Sequence, residues 1–203
     1  MKSVLLNGSP ITPSKVLCIG RNYVEHIQEL ENEMPIEPVI FIKPNSAISD
    51  VVESGNKDEI HYEGEICFLI KNGIISAIGF GLDLTKRQVQ SALKAKGLPW
   101  ERAKSFDKSA VFSHFVDCHS NLASYRMELC INEKLIQLAT YELMIHKPES
   151  LLNEVSEIFT LEDGDILMTG TPKGVGLVNK GDVFTAKIYD AETLLIEKSW
   201  LVA

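Results

Sequence analysis

Residues 60–70, IHYEGEICFLI, place two demands on the fold at once. The apolar run 66–70 has the length and composition of a buried strand. Glu63 and Glu65 stand two apart beside it, so on an extended chain both project from one face, about 7 Å apart at the backbone. A carboxylate in apolar surroundings is costly without a partner. A hard divalent cation is one such partner, and Asp83, a short way on, offers a third oxygen ligand. The same spacing also describes a solvated strand face, and spacing by itself does not separate the two.

Around this stretch the chain reads as short strands joined by tight turns. Residues 4–6, Asn7-Gly8 and Ile11 form a small hairpin, an appendage over 1–14. Apolar strands follow at 15–19 and 39–43. Asn72-Gly73 turns the chain into a returning strand, 74–82, which ends at Asp83; Gly79 and Gly81 within it mark a close backbone approach. Residues 127–131 and 135–138 flank Asn132-Glu133-Lys134 as a second hairpin. A strand at 166–168 follows Gly164-Asp165, and 183–188 with 193–196 closes the chain as an antiparallel pair.

Helical patterns are few. Residues 23–34 are rich in Glu and Gln, with Asn22 as N-cap and Pro35 and Pro38 beyond, and form a polar, lid-like segment. Thr85 to Gln88 has the form of a capping box ahead of Val89, Ala92 and Leu93, with Gly97 as terminator. A third, short helix near Ser150 carries Leu152, Val155 and Ile158. So few helices exclude a doubly wound α/β fold and predict a mixed, mainly β protein forming a single domain over 1–203.

Composition narrows the function classes. The 203 residues carry 20 basic and 28 acidic side chains, net charge -8, with no clustered positive footprint for nucleic acid. No apolar run reaches the roughly 18 residues of a membrane span, and Asn7, Gly8 and Pro10 interrupt the N-terminus too early for a signal peptide. Cysteines 18, 67, 118 and 130 lie far apart without a CxxC pair, which predicts buried free thiols in a reducing cytoplasm. The glycine-rich loop 169–176 lacks GK[ST] and gives no phosphate cradle.

Six stretches, in order, resemble the fumarylacetoacetate hydrolase family, in particular its single-domain members related to acylpyruvate hydrolase and oxaloacetate decarboxylase. They are CIGRNYVEHIQE at 18–29, FIKPNSA at 41–47, HYEGE at 61–65, GLDLTKRQVQ at 81–90, KGLPWERAKSFD at 96–107 and LEDGDILMTGTPKGVG at 161–176. The resemblance implies a twisted β-sandwich or β-roll with a few short helices, a homodimer, and bound Mg²⁺ or Mn²⁺. By position it implies Glu63, Glu65 and Asp83 as metal ligands and His26 with Glu29 as the water-activating pair. Lys104 matches the family's active-site lysine, and Arg21, Gln90 and Thr171 match substrate-contacting or motif positions, as does Arg87. Taken alone, His26 and Glu29 are also a surface helix pair, Lys104 a surface lysine, and Gln90 and Thr171 a cap and a turn residue. His61 shares the glutamate face and reads as a pocket residue rather than a ligand.

The implied function is metal-dependent hydrolysis of C–C bonds in acylpyruvate-type 2,4-diketo acids, with oxaloacetate decarboxylation as a second activity. Isomerisation or decarboxylation of unsaturated 2-oxo diacids in aromatic catabolism is one alternative; a non-enzymatic metal-binding protein is another. A 2-oxo acid chelates a metal through its keto and carboxylate oxygens, and the metal stabilises developing enolate charge. For hydrolysis, His26 oriented by Glu29 takes the proton of water, and Lys104 stabilises an oxyanion or holds the substrate carboxylate. Two departures stand out. Gly64 replaces a bulkier apolar residue, which predicts a looser strand, and 109–113 lacks a proline after Phe106-Asp107, which predicts a reshaped pocket wall.

Overall fold

The computed structural model describes residues 1–29, 37–55 and 57–203. In chain order the first strands are β1 (Val4–Leu6), β2 (Ser9–Ile11), β3 (Lys15–Gly20), β4 (Val39–Pro44), β5 (Ile48–Ser49), β6 (Ile60–Tyr62), β7 (Gly64–Lys71), β8 (Ile74–Asp83) and β9 (Thr85–Lys86). They are followed by β10 (Ala110–Phe112), β11 (Val116–Asp117), β12 (Tyr125–Ile131), β13 (Lys134–Thr140), β14 (Ile166–Met168), β15 (Gly176–Leu177), β16 (Val183–Asp190) and β17 (Thr193–Leu201). The α-helices are α1 (Val24–Glu29), α2 (Arg87–Ala95), α3 (Glu101–Lys104) and α4 (Pro148–Ile158).

The main sheet runs β4-β3-β14-β7-β8-β10-β5, with β11 also on β8; a second sheet runs β13-β12-β16-β17. A small sheet, β15-β6-β9, bridges them, and β1-β2 is a separate hairpin. Only β14/β3 and β10/β5 pair in parallel among the described strands. This curled, mostly antiparallel arrangement is the mainly β fold that the strand-and-turn pattern predicts.

The alternation of β7 explains its unbroken apolar run. Ile66 and Phe68 pack with Met127, Leu129, Phe184 and Ile188 of the second sheet, while Cys67 and Leu69 pack on the opposite side with Val16, Met168 and Phe115. A strand covered on both faces has no polar face to show. The glycines of β8 mark the predicted close approach: a Cβ at Gly79 would lie 2.7 Å from the Phe115 ring, and one at Gly81 2.6 Å from Cys67 Sγ.

Several local readings change. Residues 60–70 are two strands rather than one: Tyr62 pairs with Gly176 in the small sheet and Gly64 with Leu82 in the main sheet, leaving Glu63 at the junction. Thr85 caps no helix, because it pairs with His61 as part of β9 and its hydroxyl donates to the Asp83 carbonyl; α2 starts two residues later. Its Gly97 terminator is as predicted, at φ 62°, with Leu98 N–H bonded to the Leu93 carbonyl. Of α2 only Gln90 is buried, so Val89, Ala92 and Leu93 do not seal a core.

Asn22 does not cap α1 with its side chain. Its amide bonds the backbone of His146 on both sides and the Thr169 carbonyl, and the helix opens from the Tyr23 carbonyl instead. The predicted continuation through residue 34 and its stop at Pro35 lie outside the described residues. On α4 the buried face is Leu151 and Val155; Leu152 is half-buried and Ile158 is exposed. The four-residue α3 is an addition to the sequence reading. All four cysteines are free thiols, but only Cys18 and Cys67 are buried as expected; Cys118 and Cys130 are partly exposed.

Candidate active site and metal centre

The junction at Glu63 brings the three predicted acids together. One carboxylate oxygen from each of Glu63, Glu65 and Asp83 lies within 4.8 Å of the others, and all three side chains are buried. Glu63 comes from the seam between sheets, Glu65 from β7 opposite Gly81, and Asp83 from the end of β8. Asp83 N–H donates to the Glu63 carbonyl at 2.8 Å, which locks two of these backbones together. Burial pushes the Glu65 carboxyl well up, and the neighbouring Asp83 and Glu63 charges push it further. An all-carboxylate donor set relieved of that repulsion by a divalent cation fits a hard ion such as Mg²⁺ or Mn²⁺.

Three cations sit against the acids. Lys104, delivered by α3, donates to Glu63 Oε2 at 2.8 Å, Asp83 Oδ2 at 2.6 Å and Thr85 Oγ1 at 2.6 Å. Arg87 reaches Glu63 Oε1 at 2.5 Å and Gln90 Oε1 at 2.7 Å. Lys43 of β4, fully buried, lies 2.9 Å from Asp83 Oδ1 and donates to the carbonyls of Leu84 and Lys104. Burial acts to raise the Glu63 carboxyl, but Lys104 and then Arg87 outweigh it and hold it below the usual range. Burial acts to lower the Lys104 ammonium, and Asp83 and Glu63 more than reverse it.

Above the acids a small cleft of about 30 Å³ opens, lined among others by Arg21, His26, Arg87, Gln90, Lys94 and Thr171. His26 Nδ1 faces Glu29 Oε2 at 3.3 Å, and the Glu29 carboxylate also accepts the Gly174 N–H at 3.1 and 3.2 Å. Burial depresses the His26 pKa below its ordinary value, against the opposing pull of Glu63 and Glu29. The imidazole is therefore neutral near pH 7, with Nε2 left to accept a proton. Arg21 sits at φ 59°, a left-handed backbone that a branched side chain seldom adopts. Thr171 Oγ1 donates to the Gly64 carbonyl at 2.9 Å.

Of the nine predicted site residues, Arg21, His26, Glu63, Gln90, Lys104 and Thr171 line the cleft; Glu65 and Asp83 join it through the Glu63 cluster, and Glu29 through His26. His61, expected in the pocket, does not line the cleft; it stands on β6, where burial and then the Arg87 charge lower its pKa. The residues at 109–113 do not line this cleft; Ala110–Phe112 is a buried strand paired with Asp83 and its neighbours. Sequence reasoning missed Lys43, Thr85, Lys94 and Gln137. For Lys43 the available signal was a lysine inside the otherwise apolar run VIFIKP. For Gln137 it was a lone amide among the leucines and isoleucine of β13.

Comparison with known proteins identifies the family. Residues 15–196 match the family model described as fumarylacetoacetate (FAA) hydrolase, C-terminal. The chain is 37% identical over 199 residues to the oxaloacetate tautomerase YcgM of Escherichia coli, covering 89% of this chain and 90% of that one. It is 34% identical to the human mitochondrial oxaloacetate tautomerase FAHD1, covering 90% and 91%. Among solved structures, a provisional fumarylacetoacetate isomerase/hydrolase from Oleispira antarctica superposes with TM-score 0.94 at 35% identity over 100% of both chains. A fumarylpyruvate hydrolase from Pseudomonas aeruginosa, in complex with Mn²⁺ and pyruvate, gives 0.87 at 28% identity over 100% of this chain and 95% of that one. With its carboxylate cluster at the seam of two sheets and its sequence matched almost end to end, the chain belongs to the fumarylacetoacetate hydrolase family.

Proposed function

We propose that the protein is a divalent-metal-dependent enzyme that interconverts the keto and enol forms of a small 2-oxo diacid, with oxaloacetate as the leading substrate. The observation that carries this reading is the meeting of the buried Glu63–Glu65–Asp83 cluster with the His26–Glu29 pair at a single cation-lined cleft. The curated relatives named as oxaloacetate tautomerases support the substrate. Charge supports a diacid as well. Three carboxylates stand against Lys43, Lys104 and Arg87, so a bound divalent ion leaves this floor positive, which favours an anionic substrate. Arg21 and Lys94 at the mouth add to the pull on a second carboxylate; burial, Arg21 and Arg87 together lower the Lys94 pKa.

When bound, the cation would supply Lewis acidity toward the 2-oxo acid and stabilise enolate charge as it develops. The chain's own groups supply the rest. His26 Nε2 takes a proton from C3, the C–H electron pair becomes the C2=C3 double bond, and the oxygen on C2 gains the charge. Return of a proton to that oxygen completes the enol. Glu29 fixes the imidazole through Nδ1, and the depressed pKa keeps His26 in its basic form. Lys104, with three bonds to Glu63, Asp83 and Thr85, serves as the fixed counter-ion of the ligand set.

A second reading, hydrolysis of a C–C bond in an acylpyruvate or fumarylpyruvate, uses the same His26–Glu29 pair to activate water. The structural relative named as a fumarylpyruvate hydrolase favours it. The test follows oxaloacetate enol absorbance and acetylpyruvate cleavage in parallel, with EDTA and after Mn²⁺ is restored. Tautomerisation lost in EDTA and recovered with Mn²⁺ supports the proposal. Equal rates in both conditions reject the metal mechanism, and cleavage without tautomerisation transfers the assignment to the hydrolase.

A further inference from the structure

Gln137 lies in β13, on the second sheet, yet its carboxamide reaches the strand that carries the acids. Its Oε1 accepts the Gly64 N–H at 2.9 Å, and its Nε2 donates to Thr171 Oγ1 at 2.9 Å and to the Pro172 carbonyl at 3.0 Å. Thr171 Oγ1 in turn donates to the Gly64 carbonyl at 2.9 Å. These bonds close a ring in which both backbone polar groups of Gly64, the residue between two proposed ligands, are held by Gln137 and Thr171. The residue is 1% exposed, so losing one partner leaves a buried polar group unpaired. The absent side chain at Gly64 makes room for it: a Cβ there would lie 2.8 Å from Gln137 Oε1.

The same amide organises the loop that holds the base. Beyond Pro172, Gly174 packs against β13 so closely that a Cβ would meet the Ile136 carbonyl at 2.5 Å and Gln137 Cγ at 3.2 Å. From that position the Gly174 N–H binds the Glu29 carboxylate, which faces His26. An unbroken series of contacts therefore runs from the ligand strand through Gln137 to the imidazole.

We propose that Gln137 is a positioning residue that holds the Glu63–Glu65 pair and the His26–Glu29 pair in one fixed relation, with Gly64 as the space it requires. This inference rests on the metal-dependent reading above. Gln137→Met keeps the length and removes every polar contact. Gln137→Glu keeps an acceptor toward Gly64 but turns the donor side into oxygen facing the Thr171 hydroxyl and the Pro172 carbonyl. Each variant is compared with the wild type by thermal melting, by calorimetric Mn²⁺ titration, and by kcat and KM for oxaloacetate tautomerisation.

The proposal expects a folded Q137M with Mn²⁺ affinity reduced about 10- to 100-fold and kcat reduced by a similar factor. It expects Q137E to show the same two losses, which covers the case in which Q137M does not fold. Wild-type Mn²⁺ affinity and unchanged kcat and KM in a folded variant overturn it. If the wild type binds no Mn²⁺, the metal reading fails separately, and Gln137 is judged on kcat: a loss in a folded variant supports its role, and an unchanged value overturns it.

Discussion

Lys104→Met is the most informative single change. Lys104 is 2% exposed and serves three oxygen partners, two of them the carboxylates of Glu63 and Asp83. Methionine preserves the stem and removes the charge, leaving the acids with Lys43 and Arg87 alone. Removing one partner of a buried ion pair costs about 3–5 kcal/mol, because the other charge stays behind. For a chain of this size each kcal/mol moves the melting temperature by about 2–4 °C, so about 4 kcal/mol lowers it by ~8–16 °C. The loss is specific to the metal-free protein. A divalent cation replaces the missing positive charge and meets less repulsion, so saturating Mn²⁺ raises the Tm of K104M more than that of the wild type.

Proton uptake gives the same deficit a pH signature. Burial, which alone raises the Glu63 carboxyl, is no longer outweighed by Lys104, so the group takes up a proton more readily and the deficit narrows as pH falls. The assay is thermal melting in EDTA and in Mn²⁺ at two pH values. A K104M Tm in EDTA within about 3 °C of the wild type, less than the smallest loss derived above, refutes the counter-ion role. Equal Mn²⁺-induced shifts in the two proteins refute the coupling to the metal.

Replacing His26 with Asn lowers kcat about 10²- to 10⁴-fold, the usual worth of a general base, and steady-state kinetics measure it. In the wild type, burial depresses the His26 pKa, so kcat/KM falls on the acid side through a midpoint below the ordinary imidazole value. A midpoint above that value contradicts the role assigned to His26. Asp165→Ala costs about 3 kcal/mol in urea unfolding, since Asp165 is a buried carboxylate paired with Lys15 and bonded to Ser14 and Glu162 N–H. Burial works to raise its pKa, but the Lys15 bond and then the Glu162 N–H hold it low, so this stability is present above the unfolded carboxylate value and lost as pH falls through the folded one. Thiol titration with an aromatic disulfide finds Cys118 and Cys130 in the native protein, and Cys18 and Cys67 only after unfolding, because the latter pair is fully buried.

The turns were legible because their chemistry is local. Asn7-Gly8 and Asn72-Gly73 adopt positive φ at both positions, which Asn and Gly tolerate best. The acids were legible as a candidate cluster because a carboxylate beside an apolar run calls for a partner, but it was the family motifs that set this reading apart from a solvated strand face. The misreadings have long-range causes. Thr85 looks like a cap until Lys104, 19 residues on, claims its hydroxyl. Gly64 reads as slack until Gln137, 73 residues on, fills its space. Lys43 resembles any lysine near a strand end until the antiparallel pairing of β3 with β4 carries it inward to Asp83. The four residues of α3 are too few to show a helical period.

Glu63 belongs to neither of the sheets it joins, with one neighbour paired to Gly176 and the other to Leu82. An ion gripped by Glu63, Glu65 and Asp83 together is therefore a rivet across a seam as well as a reagent. The three-stranded patch of β6, β9 and β15 is held by only a few residue pairs, so riveting weighs more there than in the main sheet. Amide exchange at Tyr62 and Thr85 slows when the site fills, and occupancy of the reaction centre becomes readable at the backbone of its least reinforced edge.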